Sequence, residues 1–122
     1  MRGVSFWFMA LAALSATIGM AWGIQMSASG DHSLAPAHAH LNLIGWVTMA
    51  LFAVYYHLVP AVAETILAKI HLAVTVLAVV VMVPGIVQAL RETGETLAKL
   101  GSVLAILSML IFLYTVVRSR AA

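Results

Sequence analysis

The sequence has no cysteine and very little charge: six Lys or Arg and four Asp or Glu in 122 residues. Without cysteine there are no disulfides, no thiolate metal sites and no Cys-x-x-Cys-His attachment for a covalent haem. Any cofactor must be held by His, Met, carboxylate or main-chain oxygen. Charged residues are 8% of the chain, against about 25% in a soluble domain. A chain so poor in charge cannot cover its own surface in water. The formal net charge of +2 is small and scattered, which excludes a nucleic-acid partner. What the chain does have is apolar material: 64% hydrophobic residues and a mean hydropathy of +1.10. Such a chain is stable where the solvent is itself apolar, and there every backbone amide must be bonded internally, in helices or a closed barrel. The apolar runs are continuous rather than alternating, so the expected fold is an all-α membrane protein.

Four apolar stretches stand out, at residues 5–26, 37–59, 66–90 and 98–117. Each approximates the ~20 residues that cross a hydrocarbon core of ~30 Å. The charge collects in the separators, and none of these is long enough to fold alone. The expectation is therefore one domain over residues 1–122, a four-helix transmembrane bundle with sequence neighbours packed antiparallel. The first stretch exceeds the ~7–15 residues of a signal-peptide core and has a weak basic flank, so it reads as a retained helix. Arg2, Lys69, Arg118 and Arg120 fall on one side of this topology, against Arg91 and Lys99 on the other. Basic residues favour the cytoplasmic side. The prediction is a protein of the cell's inner (plasma) membrane with both termini cytoplasmic. Gly19 and Gly23 form a Gly-x-x-x-Gly face suited to close helix approach. Pro84-Gly85 is expected to kink the third span.

The five histidines are the informative polar residues, because ionisable groups inside a membrane are costly. His32, His38 and His40 lie at the outer end of the second span. His57 lies at its inner end, and His71 opens the third span on that same side. His40 and His57 are 17 positions apart, roughly 25 Å along a helix, so no single metal uses both groups. His38 and His40, two apart, project about 200° from one another around a helix. They cannot chelate one ion, but each can serve a site on its own flank. The bland alternatives are solvation for His32 beside Asp31 and interfacial hydrogen bonding for His38 and His40. Structural roles are expected for His57, after Tyr55-Tyr56 in an aromatic belt, and for His71, bonded to a neighbouring carbonyl. Met20, Met26 and Met49 are soft donors, but a Met in an apolar helix is normally packing.

The run from His38 to Pro60, HAHLNLIGWVTMALFAVYYHLVP, resembles the tenth helix of the haem–copper oxidase catalytic subunit, with its His-x-His near the outer surface. Ala68-Lys69-Ile70-His71-Leu72 resembles the start of that family's eleventh helix. The two matches cover about 35 residues and are more specific together than either alone. The resemblance implies that the chain corresponds to the last four helices of a twelve-helix subunit, one of three arcs arranged around three pores. It further implies that His38 matches the high-spin haem ligand and His40 the low-spin ligand. The family's copper site needs three further histidines and a tyrosine, none of which is matched; the position four after His38 is Asn42. Full oxygen-reducing activity is therefore not expected.

Three copies arranged like the family's arcs would close a ring. The expectation is a homotrimer with haem b between protomers, held by His38 of one and His40 of the next, and packed in part through the Gly19/Gly23 face. A haem with both axial positions filled carries electrons rather than binding oxygen, so electron transfer or gas and redox sensing follows, with a respiratory-chain redox partner. Two alternatives stay open. His32, His38 and His40 beside Asp31 would suit copper or zinc, and a chain without cofactor would be a scaffold or assembly partner of respiratory complexes.

Overall fold

The computed structural model describes residues 1–120 and contains, among them, only helices and turns. Helix α1 spans Gly3–Ser29 and α2 Ala35–Leu58; a single turn, α3, covers Pro60–Ala63; α4 spans Ile66–Leu90 and α5 Thr96–Arg118. The four long helices are each long and apolar enough to cross a membrane. Every predicted span is recovered, with boundaries displaced by no more than a turn.

Local chemistry sets the ends. Gly30 closes α1 in the left-handed region (φ 70°), and its N–H returns to the Met26 carbonyl. Glycine takes that conformation without steric cost. Pro36 sits in the first turn of α2, where its missing N–H is no loss. Pro60 follows Val59, whose non-helical backbone (φ −126°, ψ 68°) ends α2, and opens α3. Thr65 caps α4 by accepting from the Ala68 N–H. Helix α4 continues through Pro84 to Leu90, so the proline does not end it.

One departure lies inside α2. Leu41–Thr48 is a π-helix flanked by ordinary α-helix on both sides. Thr48 Oγ1 donates to the Leu43 carbonyl five residues back, at 2.7 Å, which follows the wider turn. A π segment of this length is rare and is found mostly at functional sites.

Helices in lipid associate through close packing and hydrogen bonds rather than through expulsion of water. The α4–α5 seam is made by glycine. A Cβ on Gly85 would lie 2.5 Å from the Ala98 nitrogen, and one on Gly101 would lie 2.6 Å from Met82 Cα. Backbones therefore touch there. On the α1–α2 seam, Gly19 lies against the Asn42 side chain, Gly23 against the His38 ring and Gly45 against Ser15 Oγ. The Gly19/Gly23 face is thus filled by α2 of the same chain, which corrects its expected use between protomers. The reason is local: the Asn42 and His38 side chains at the start of α2 need a notch, and the two glycines form it.

The packed core lies toward the end of the bundle that carries the termini. Phe8 of α1, Phe52 and Tyr56 of α2, and Phe112 of α5 surround His71 of α4, with ring centroids 4.5–6.0 Å from the imidazole. Tyr56 is 1% exposed, so it belongs to this core and not to the surface aromatic belt anticipated for Tyr55-Tyr56.

Candidate functional site

His38 and His40 occupy the α-helical turn just before the π segment, so ordinary helical geometry holds for the pair. They face different surroundings. His38 Nε2 lies 2.9 Å from the Gly19 carbonyl. A carbonyl only accepts, so Nε2 carries the hydrogen and donates it. Asn42 Nδ2 donates to the His38 carbonyl at 2.9 Å, bracing the same turn. The Trp22 indole stands edge-on to the imidazole. His38 therefore ties α2 to α1.

His40 is half-buried and turns away from α1. Its Nδ1 lies 2.7 Å from the Pro36 carbonyl. The same logic places the hydrogen on Nδ1 and leaves Nε2 with its lone pair. Metal-ligating histidines almost always have the second ring nitrogen fixed in this way by a carbonyl or carboxylate. Pro36 is set by the start of α2, so the ligand-ready tautomer is built from the sequence Pro-Ala-His-Ala-His itself. Ile44 and Thr48 follow His40 at four-residue steps along α2. With Phe52 they form one wall of a groove of about 250 Å³, whose other wall is Ala105, Ile106, Ser108 and Met109 of α5.

The remaining candidates separate. His32 is exposed in the loop after α1, with Nδ1 3.4 Å from the Gly30 carbonyl. Beside it, the Ser33 backbone N–H donates to Asp31 Oδ1 at 2.9 Å and holds that carboxyl below its ordinary value. Among the described residues no group of three or more His, Asp or Glu side chains is placed to hold a metal ion. A copper or zinc site built on His32, His38 and His40 would thus need more than one copy of the chain. His57 is exposed and lines a cavity at the termini end.

His71 is the residue whose surroundings differ most from expectation. It is fully buried and bonds to side chains rather than to a neighbouring carbonyl. Tyr56 Oη is 2.8 Å from Nδ1, and Ser108 Oγ is 3.3 Å from Nε2. Thr75 Oγ1 lies 2.6 Å from Ser108 Oγ and 2.7 Å from the His71 carbonyl. Thr75 and Ser108 were not singled out by sequence reasoning, and Tyr56 was expected in a surface aromatic belt. The available signal was that hydroxyls inside apolar spans must find partners. Among the described residues, no buried side-chain nitrogen or oxygen lacks one.

Comparison with protein-family models, with curated proteins and with solved structures gives no match to this chain.

Proposed function

We propose that the chain is a membrane haem-binding protein for electron transfer or redox sensing, resembling a four-helix fragment of the haem–copper oxidase catalytic subunit and working as a ring-closed oligomer, most simply a trimer. The observation that carries the reading is His40. Its Nδ1–H is committed to the Pro36 carbonyl and its Nε2 keeps a free lone pair; further along α2, Ile44, Thr48 and Phe52 line an apolar groove against α5. Imidazole in this state is a donor for iron.

In this reading His40 of one copy and His38 of a neighbouring copy would together hold a haem b between protomers. When bound, the haem would supply one-electron carriage. The chain's own contribution is to fix the His40 tautomer through the Pro36 carbonyl. His38 is held more tightly to its own chain: coordination through Nε2 requires release of the Gly19 carbonyl. The Lys and Arg distribution supports an inner-membrane location with cytoplasmic termini, and a respiratory-chain protein is the natural redox partner for such a haem.

The test is an absorption spectrum of protein purified in mild detergent from haem-supplied cells, oxidised in air and reduced with dithionite. The expected result is a Soret band with sharp reduced α and β bands, lost in His40→Ala. A folded, haem-replete sample without a Soret band would sink the reading, and copper and zinc analysis of that sample would then test a metal site.

A further inference from the structure

We propose that the cavity at the termini end of the bundle holds the headgroup of a phosphatidylethanolamine-type lipid, with its phosphate on Arg2 and His57 and its ammonium on Glu64. The proposal stands on that cavity alone and is independent of any cofactor.

The cavity has a volume of about 570 Å³ and opens between the start of α1, the end of α2 and α3. That size falls within the ~300–1,000 Å³ of small-molecule sites. Arg2 precedes α1, His57 lies in the last turn of α2 and Glu64 follows α3. Separate segments thus deliver charged or polar side chains to one space. All three residues are exposed, which places the mouth in water. The inner end differs: Tyr56, 1% exposed, also lines the cavity. Charges scattered over a surface need no ligand. Here they converge on a cavity that runs from water to the packed core. Basic pockets between membrane helices on the cytoplasmic side bind lipid headgroups, and that is the side the Lys and Arg distribution favours for this end.

The charges specify which headgroup. Among the described residues the ion pair is Lys99–Glu95. Arg2 and Glu64 therefore line one cavity without neutralising each other. A ligand that bears both signs satisfies both. Guanidinium and imidazole N–H groups donate to phosphate oxygens. The first turn of α1 also lines the cavity and has no side-chain cap, so its N–H groups add donors to those of Arg2 and His57. Glu64 accepts from a primary ammonium, which carries N–H donors. A choline headgroup has no N–H to give it, and a glycerol headgroup brings no positive charge. Glu64 thus selects ethanolamine over both.

A lipid, and not a soluble phosphoethanolamine, is the source because the adjoining surface is apolar. Phe6, Trp7 and Leu58 directly follow lining residues in sequence and are 46%, 54% and 72% exposed. Trp is enriched at the membrane–water interface. Acyl chains leaving the cavity would run along this surface.

The full chain, stripped of lipid in mild detergent, is mixed with equal amounts of phosphatidylethanolamine, phosphatidylcholine and phosphatidylglycerol of matched acyl chains. Bound lipid is counted by native mass spectrometry. Phosphatidylethanolamine is expected to be retained about threefold or more over either competitor, the scale of an exposed charge pair. Glu64→Gln is expected to abolish that preference. Arg2→Gln is expected to weaken retention of all three lipids, since each carries a phosphate. Both positions are exposed, so neither change disturbs the core. Equal retention of the three lipids by the parent chain, or an unchanged preference in Glu64→Gln, overturns the proposal. Glycerophosphoethanolamine, the same headgroup without acyl chains, binding as tightly as the lipid would overturn the lipid as the source.

Discussion

The α4–α5 seam can be tested with a single methyl group. Gly101→Ala places a Cβ 2.6 Å from both Met82 Cα and Met82 Cβ, and ordinary contact begins at 3.4 Å. The helices must separate by about 0.8 Å at that level, because the obstacle is backbone rather than the free end of a side chain. A gap of ~0.5–1 Å forfeits a quarter to a half of each atom-pair attraction of ~0.1–0.2 kcal/mol. Over roughly 20 to 40 atom pairs in the adjoining turns, that loss is about 1–3 kcal/mol, the usual cost of overpacking. Alanine recovers up to ~1 kcal/mol of helix propensity in water, less in lipid, where the helix is already formed in the separated state. The net expectation is about 1–2 kcal/mol of destabilisation. Equilibrium unfolding in mixed micelles, followed by far-UV circular dichroism and by proteolysis at the 91–95 turn, reads it directly. A Gly101→Ala protein as stable as the parent would refute the claim that this seam is a backbone-to-backbone contact.

Gly19→Ala makes a useful contrast: its Cβ would also fall 2.6 Å from its obstacle, but that obstacle is the Asn42 side-chain amide. The amide can swing aside at the cost of its bond to the His38 carbonyl, so unfolding should register about 1 kcal/mol or less, clearly below Gly101→Ala. His71→Leu strands the Tyr56 hydroxyl and removes one partner of Ser108, which keeps Thr75. Membrane hydrogen bonds measure about 0.6–2 kcal/mol each, so a loss near 1–3 kcal/mol is expected in the same assay, and a stabilised variant would mean the network contributes nothing. Asp31 gives a pH test. Its folded pKa is held below the ordinary 3.8 by the Ser33 N–H, so the loop contact persists above that value and is lost only as pH falls through the lower, folded one. The Ser33 amide shift should titrate below pH 3.8; a midpoint at or above it would remove the contact from the account.

The spans were legible because a bilayer imposes a length, and residues 5–26, 37–59, 66–90 and 98–117 each meet it without help from tertiary contacts. The opposed placement of His38 and His40 was legible for a similar reason: both precede Leu41, where the ordinary α-helical turn still holds. Periodicity cannot reveal the π segment, since a 3.6-residue reading assumes the very turn that Leu41–Thr48 abandons. Nor could it reveal the fate of Tyr56. Read locally, Tyr55-Tyr56-His57 before Pro60 looks like an interfacial belt. Its hydroxyl is instead claimed by His71, 15 residues on, and His71 by Ser108, 37 residues further.

That difference has a physical basis which bears on function. In lipid, apolar residues gain little by choosing one apolar neighbour over another, so composition fixes the spans but not their pairing. Pairing is decided by the few groups that lipid cannot satisfy and by the glycines that admit close approach. Here the polar ties include His38 to the Gly19 carbonyl, the Tyr56–His71–Ser108–Thr75 network, and the Tyr55 hydroxyl to Ser119. The first joins α1 to α2, the second joins α2, α4 and α5, and the third joins α2 to the end of α5. His40 takes part in none of them: among the described residues its hydrogen bond is to its own helix at Pro36. It therefore adds nothing to the polar ties between helices, and its Nε2 is the group on which the proposed ligand role rests.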